Sequence, residues 1–142
     1  MSRPPRRLGV PGTDLRLSSC ALAVRDLNEA LGFYRDVLGF EVRAGAGCGA
    51  TGRVGVGPPS QPDVQILLCV PSADRQAVQD LMAGGLPDRC LVFVTDDCDA
   101  VFEHIAAAGA EVMQEPIDQP DGARDCAFLD PSGNMLRFSQ PR

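Results

Sequence analysis

The sequence has no tryptophan and no lysine, one histidine, one tyrosine and no long apolar run. Each shortage excludes something. All 13 basic residues are arginines, set against 19 acidic ones for a net charge of −6, so neither a basic nucleic-acid footprint nor a polybasic membrane patch is expected. No apolar stretch approaches the roughly 20 residues that a membrane span needs. The opening "MSRPPRRLGVPGTD" is basic but lacks the apolar stretch of a signal peptide, and reads as a disordered arm over about residues 1–15 of a cytoplasmic protein. The single histidine, His104, rules out a two-histidine metal site within one chain. None of the six cysteines (Cys20, Cys48, Cys69, Cys90, Cys98, Cys126) forms a C-x-x-C pair, so they read as free thiols, mostly small hydrophobes inside strands.

What is present is enough for a packed domain: 142 residues, 44% hydrophobic and 23% charged. The chain also repeats itself. "SCALAVRDLNEALGFYRDVLGFEV" from Ser19 and "CLVFVTDDCDAVFEHIAAAGAEV" from Cys90 each run from an apolar strand to a capping aspartate (Asp26, Asp97). Each continues through an amphipathic stretch to a glycine (Gly39, Gly109) and restarts as a strand. The offsets are 97 − 26 = 71 and, after one residue gapped in the helix, 109 − 39 = 70. In the first helix Leu27, Ala30, Leu31, Tyr34 and Leu38 make one buried face, and Glu29 stands where a capping box would place it. Val101, Phe102, Ile105 and Ala108 do the same in the second. Three strand signals follow each helix, "FEVRA", "RVGVG" and "VQILLCV", then "AEVMQ", "RDCAFL" and "NMLRFSQ". The expected fold is α+β, βαβββ twice: module 1 over about 16–70, a connection over 71–88, and module 2 over about 89–140.

Paired βαβββ modules, with "DLNEALGFYRDVLGFEV" in the first and a closing "DPSGN" in the second, resemble the vicinal oxygen chelate superfamily, the glyoxalase, bleomycin-resistance and extradiol-dioxygenase group, over about residues 16 to 140. The resemblance implies mixed sheets curled around a cavity with helices outside, and a homodimer. Strand alternation then sorts the side chains. Cys20, Leu22, Val24, Ile66, Leu68, Val70, Leu91, Phe93, Leu136 and Phe138 go to the core. Ser19, Ala21, Ala23, Gln65, Leu67, Cys69, Cys90, Val92, Val94, Met135, Arg137 and Ser139 go to the concave face.

The metal-binding members of that family carry a histidine at the start of each module's first strand and a carboxylate in each last strand. The matching positions here are Ser19, Cys90, Leu67 and Arg137, a set that offers no imidazole and no carboxylate and places a positive charge at the site. No metal and no other cofactor is therefore expected. Arg137 either reads an anionic or carbonyl-bearing ligand or pairs internally with a carboxylate such as Asp125 or Asp63. Arg124, sharing a strand face with Cys126 and Phe128, is a candidate second donor, while Phe128 belongs either to the cavity or to the core. "GCGATG" at Gly47 to Gly52 matches G-x-G-x-x-G, but strand signals follow where a nucleotide-binding turn needs a helix, so it reads as a hairpin loop with Cys48 at its tip. Cys90 reads as a buried structural thiol before a nucleophile, and His104 as a surface residue before a ligand.

The function expected is metal-independent binding of a partly apolar metabolite or antibiotic, with Ser19, Ala21, Gln65, Leu67, Cys90, Val92, Met135 and Arg137 as the ligand-contacting set. The alternative is a lyase, isomerase or dioxygenase of the same superfamily with an atypical or absent metal site, its catalytic residues unassigned. A third reading is a regulatory partner with a vestigial cavity.

Overall fold

The computed structural model describes residues 14–43, 53–70 and 90–142. The "GCGATG" loop with Cys48, the connection over 71–88 and most of the amino-terminal arm lie outside the described residues. Strand β1 (Ser19–Ala23) leads into helix α1 (Leu27–Leu31), which continues as a wide π-type turn over Gly32–Val37, and then come β2 (Glu41–Arg43), β3 (Arg53–Gly57) and β4 (Gln65–Cys69). The second module repeats the order as β5 (Cys90–Val94), α2 (Cys98–Ala107), β6 (Glu111–Asp118), β7 (Arg124–Leu129) and β8 (Met135–Gln140). Each module is a four-stranded mixed sheet, in the orders β1-β4-β3-β2 and β5-β8-β7-β6, with β1 parallel to β4 and β5 parallel to β8. The α+β fold of two βαβββ modules is the one the repeat implies. No helix among the described residues is long and apolar enough to cross a membrane.

Both helices start as the capping aspartates dictate: Asp26 Oδ1 accepts from Glu29 N at 2.8 Å, and Asp97 Oδ1 from Ala100 N at 3.0 Å. The capping box is only half made, because the Glu29 carboxylate turns to Arg25, taking Nε at 2.6 Å and Nη2 at 2.8 Å. The residue gapped in the sequence comparison has a structural cause. Module 1 spends 39 − 26 = 13 steps from cap to glycine and module 2 spends 109 − 97 = 12. The extra residue widens the first helix, closed by an i→i+5 bond from Leu38 N to Phe33 O at 3.0 Å. Gly39 (φ 76°) and Gly109 (φ 89°) then reverse the chain in the left-handed conformation that glycine tolerates.

The expected core parity holds. Leu22, Val24, Ile66, Leu68, Leu136 and Phe138 are buried in one cluster shared by both modules, with Cys20, Val70, Leu91 and Phe93 packed against it. Phe128 is fully buried, which settles it as core. An aromatic series joins the halves: Phe40 meets Phe93 edge-on at 5.5 Å, and Phe93 stacks on Phe138 at 5.4 Å.

The "DPSGN" turn is a clasp between modules. The buried Asp130 accepts from the Tyr34 hydroxyl at 2.7 Å, from Ser132 N and Asn134 N at 2.8 Å each, and from Asn134 Nδ2 at 3.0 Å. Asn134 Nδ2 also donates to Ala23 O at the end of β1, at 2.9 Å, and Ser132 Oγ accepts from Arg25 N at 3.0 Å. Burial and the neighbouring Asp130 push the Tyr34 hydroxyl's pKa far up, so it stays a donor.

Candidate functional site

The strand registers bring the expected ligand-contacting residues together in rows. On the first sheet Ser19 lies beside Gln65 and Ala21 beside Leu67; on the second Cys90 lies beside Met135 and Val92 beside Arg137. The two rows correspond through the repeat, since 19 + 71 = 90 and 65 + 70 = 135. They belong to two different sheets, and no strand pairing joins those sheets. Ser19, Gln65, Leu67, Met135 and Arg137 are half-buried, whereas Ala21, Cys90 and Val92 are exposed. Val92 keeps 61% and Val94 73% of its surface open, a large apolar exposure for one strand face.

Arg137 sits beside Ala127 of β7 and Val92 of β5, so two strands hold its stem. Its Nη1 donates to Gln114 Oε1 at 3.0 Å and lies 3.4 Å from Asp125 Oδ1. The carboxylate partner is thus Asp125, while Asp63 lies 3.9 Å from Arg16. Asp125 Oδ1 also accepts from Gln114 Nε2 at 2.6 Å and Gln119 Nε2 at 2.9 Å. Burial by itself would raise the Asp125 pKa, but the hydrogen bonds from Gln119 and Gln114 and the Arg137 charge outweigh it and hold the carboxyl below its ordinary value. The result is a braced guanidinium. Nη1 is consumed, and Nε and Nη2 have no hydrogen-bond partner among the described residues, with the side chain 29% exposed.

Two expectations need correction. Arg124 is no second donor on this face: it lies across the sheet, bonding Asp99 at 3.0 Å and Asp118 at 3.1 Å, because its strand face is the helix side with buried Cys126 and Phe128. Cys90 is exposed, not buried, since β5 is an edge strand. His104, as expected, is exposed and satisfied; its Nε2–H donates to Val37 O at 2.7 Å. Sequence reading missed Gln114 and Gln119. Register shifts between Val112 and Gln114 and between Gln114 and Ile117 break the alternation that would have placed Gln114 on the concave face.

The donor chemistry does not fit the metal of the resembling family. The four positions that the resemblance assigns to its ligands carry Ser19, Leu67, Cys90 and Arg137, and among the described residues no three of His, Cys, Asp or Glu gather as ligands. A second concavity, of about 640 Å³, runs between the modules around β5, lined in part by Phe40, Gln61, Val94, His104 and Phe138. Of the expected contact set, Val92 alone reaches it.

Doubled βαβββ modules with an open concave face define a protein of the vicinal oxygen chelate type. The family model of the Glyoxalase/Bleomycin resistance protein/Dioxygenase superfamily matches residues 16–138, and the chain belongs to that superfamily. The anthracycline biosynthesis protein DauV of Streptomyces sp. (strain C5) is 33% identical over 125 residues, covering 88% of this chain. The chain spans about two-fifths (40%) of that relative's length. Among solved structures, UcmS2 is 28% identical with a TM-score of 0.77, over 89% of this chain and 98% of its own. TnmS3, an antibiotic binding protein from Streptomyces sp. CB03234, is 25% identical with a TM-score of 0.70, over 91% and 98%.

Proposed function

We propose that this protein binds, without metal chemistry, a partly apolar ring compound bearing a carbonyl or carboxylate, on a concave face closed by a second copy of the chain. The observation that carries the reading is the half-used fork of Arg137. Its Nη1 is anchored by Gln114 and Asp125 while Nε and Nη2 are left pointing into no described partner. A guanidinium held this way is pre-organised to donate two parallel hydrogen bonds to an acceptor group. Beside it Val92 is its register partner and Met135 lies two residues back on the same strand face, while Ala21, Leu67 and Gln65 form the matching row of the other sheet. Similarity to an antibiotic binding protein and to an anthracycline biosynthesis protein supports a polycyclic ligand.

The second copy is inferred from Val92 and Val94, which one chain leaves in water. An enzymatic role for the same face would call on Asp125 as the base. Its Oδ1 is held by two glutamines and an arginine that favour the ionised, already bonded form, which suits bracing rather than proton transfer.

The test is calorimetric titration with anthraquinone-2-carboxylate. Saturable binding to the wild type, weakened about tenfold or more in Arg137→Met, is the expected result, since hydrogen bonds to a charged group contribute about 1.5–3 kcal/mol. Equal affinity in the two proteins would refute the role given to Arg137.

A further inference from the structure

We infer that Arg53 supplies the uncompensated charge of the concave face and selects an aromatic anion as its ligand, an assignment that rests on the binding role proposed for that face. Its basis is a reversal of sign within the duplication. On β3 the buried Val54 and Val56 belong to the core, so strand alternation turns Arg53 to the concave side. The registers put it in one row with Cys69 and Ala23, across β3, β4 and β1. The repeat carries that row onto the second sheet, since 69 + 70 = 139 and 23 + 71 = 94, and Ser139 lies beside both Val94 and Asp125. The structural mate of Arg53 is therefore Asp125.

The two positions differ in sign, and their surroundings do not compensate them alike. On the second sheet Asp125 has Arg137 at 3.4 Å, so acid and base offset each other. On the first sheet the mate of Arg137 is Leu67 (137 − 70 = 67), which brings no charge to Arg53. The charges on β2 are already matched: Glu41 and Arg43 lie 3.6 Å apart, and Arg43 also donates to Val64 O at 2.7 Å. Residues 44–52, which precede Arg53 in the chain, contain no acid. Of the four arginines on described strands, Arg43, Arg124 and Arg137 are each held by partners. Arg53 is exposed and has no hydrogen bond or ion pair among the described residues.

The two arginines thereby divide the recognition. Arg137, neutralised by Asp125, offers directed donors with little net charge, which suit a carbonyl as well as a carboxylate. Arg53 offers a charge that only an anion can use. The chain as a whole carries −6, so its overall charge draws no anion and a local cation has to do so. Ala21 and Leu67, two residues back on the same faces of β1 and β4, present apolar side chains next to the Arg53 row. A second donor of the kind expected at Arg124 is thus present, but on the other sheet. The ligand class is a planar aromatic carboxylate or phenolate with its anionic group at Arg53 and a further acceptor, such as a ring carbonyl, at Arg137.

The probes are anthraquinone-2-carboxylate and the neutral anthraquinone-2-carboxamide, titrated calorimetrically at neutral pH against the wild type, Arg53→Met, Arg53→Lys and Arg137→Met. The wild type should bind the carboxylate about tenfold more tightly than the carboxamide, the ratio expected of a hydrogen-bonded charge that stays partly in water. That ratio should fall to about one in Arg53→Met and recover in part in Arg53→Lys, which keeps the charge and loses the fork. In Arg137→Met both probes should weaken while the ratio persists. A wild-type ratio near one, an unchanged ratio in Arg53→Met, or its loss in Arg137→Met would overturn the role of Arg53 and leave binding at the concave face standing. No saturable binding of either probe to the wild type would overturn the binding role of the face, and the role of Arg53 with it.

Discussion

Replacing Tyr34 with phenylalanine removes one oxygen from the inter-module clasp and leaves the packing intact. The ring is fully buried, edge-on to Phe33 at 5.2 Å and tilted against Phe40 at 6.1 Å, and both contacts survive in Tyr34→Phe. The lost bond, 2.7 Å from a buried carboxylate, belongs to the charge-assisted kind that contributes about 1.5–3 kcal/mol. Asp130 Oδ2 keeps Asn134 Nδ2 at 3.0 Å and Oδ1 keeps two backbone donors, so the cost should fall near the low end, about 1.5–2 kcal/mol. Asn134→Ala should cost more, about 2–4 kcal/mol, because it strips Asp130 of a donor and leaves the Ala23 carbonyl unpaired. The two variants share Asp130 Oδ2, so the double variant should depart from additivity by at least about 0.5 kcal/mol. Urea unfolding of the four proteins reads all three quantities. A Tyr34→Phe effect below about 0.5 kcal/mol, or strict additivity, would show that the clasp does not hold the modules together.

Other consequences are as direct. The lowered Asp125 pKa means that its contribution to stability is complete above the unfolded-state value near 3.8 and is lost as pH falls through the lower folded value. Acid unfolding followed by circular dichroism should therefore be flatter below pH 4 in Asp125→Asn, and an unchanged acid limb would contradict the network. At Gly57 an added Cβ would lie 2.7 Å from Val64 O and 2.8 Å from Arg43 Nη1. Gly57→Ala should thus lower stability by about 1–3 kcal/mol, and a neutral effect in thermal melts would mean that Arg43 does not pin the turn. Val94→Glu places a charge on the face given to a second copy. Light scattering should show the dimer fall to a monomer, whereas a monomeric wild type or an unaffected dimer would remove the proposed closure.

The repeat made the fold legible: two capping aspartates, two helix-ending glycines and constant offsets fix βαβββ twice, and alternation alone sorted Leu22, Ile66, Leu136 and Phe138 from Ala21, Leu67 and Arg137. Even the single gapped residue had a physical counterpart in the widened first helix. The site was less legible because its parts come from strands whose pairing the sequence does not state. Asp125 was one of two carboxylates open to Arg137, and only the antiparallel register of β7 with β8 decides between them. Gln114 was hidden by bulges, and Arg124 was misplaced because Phe128, its guide to the face, was itself unassigned until its burial was known.

A crystal structure of the protein with anthraquinone-2-carboxylate tests the central claim most directly. The account predicts the ligand carboxylate or a ring carbonyl on Nε and Nη2 of Arg137, the rings against Val92 and Met135, and a second chain closing the concave face. Arg137 left bonded to Gln114 and Asp125 alone, with the ligand bound elsewhere, would contradict it.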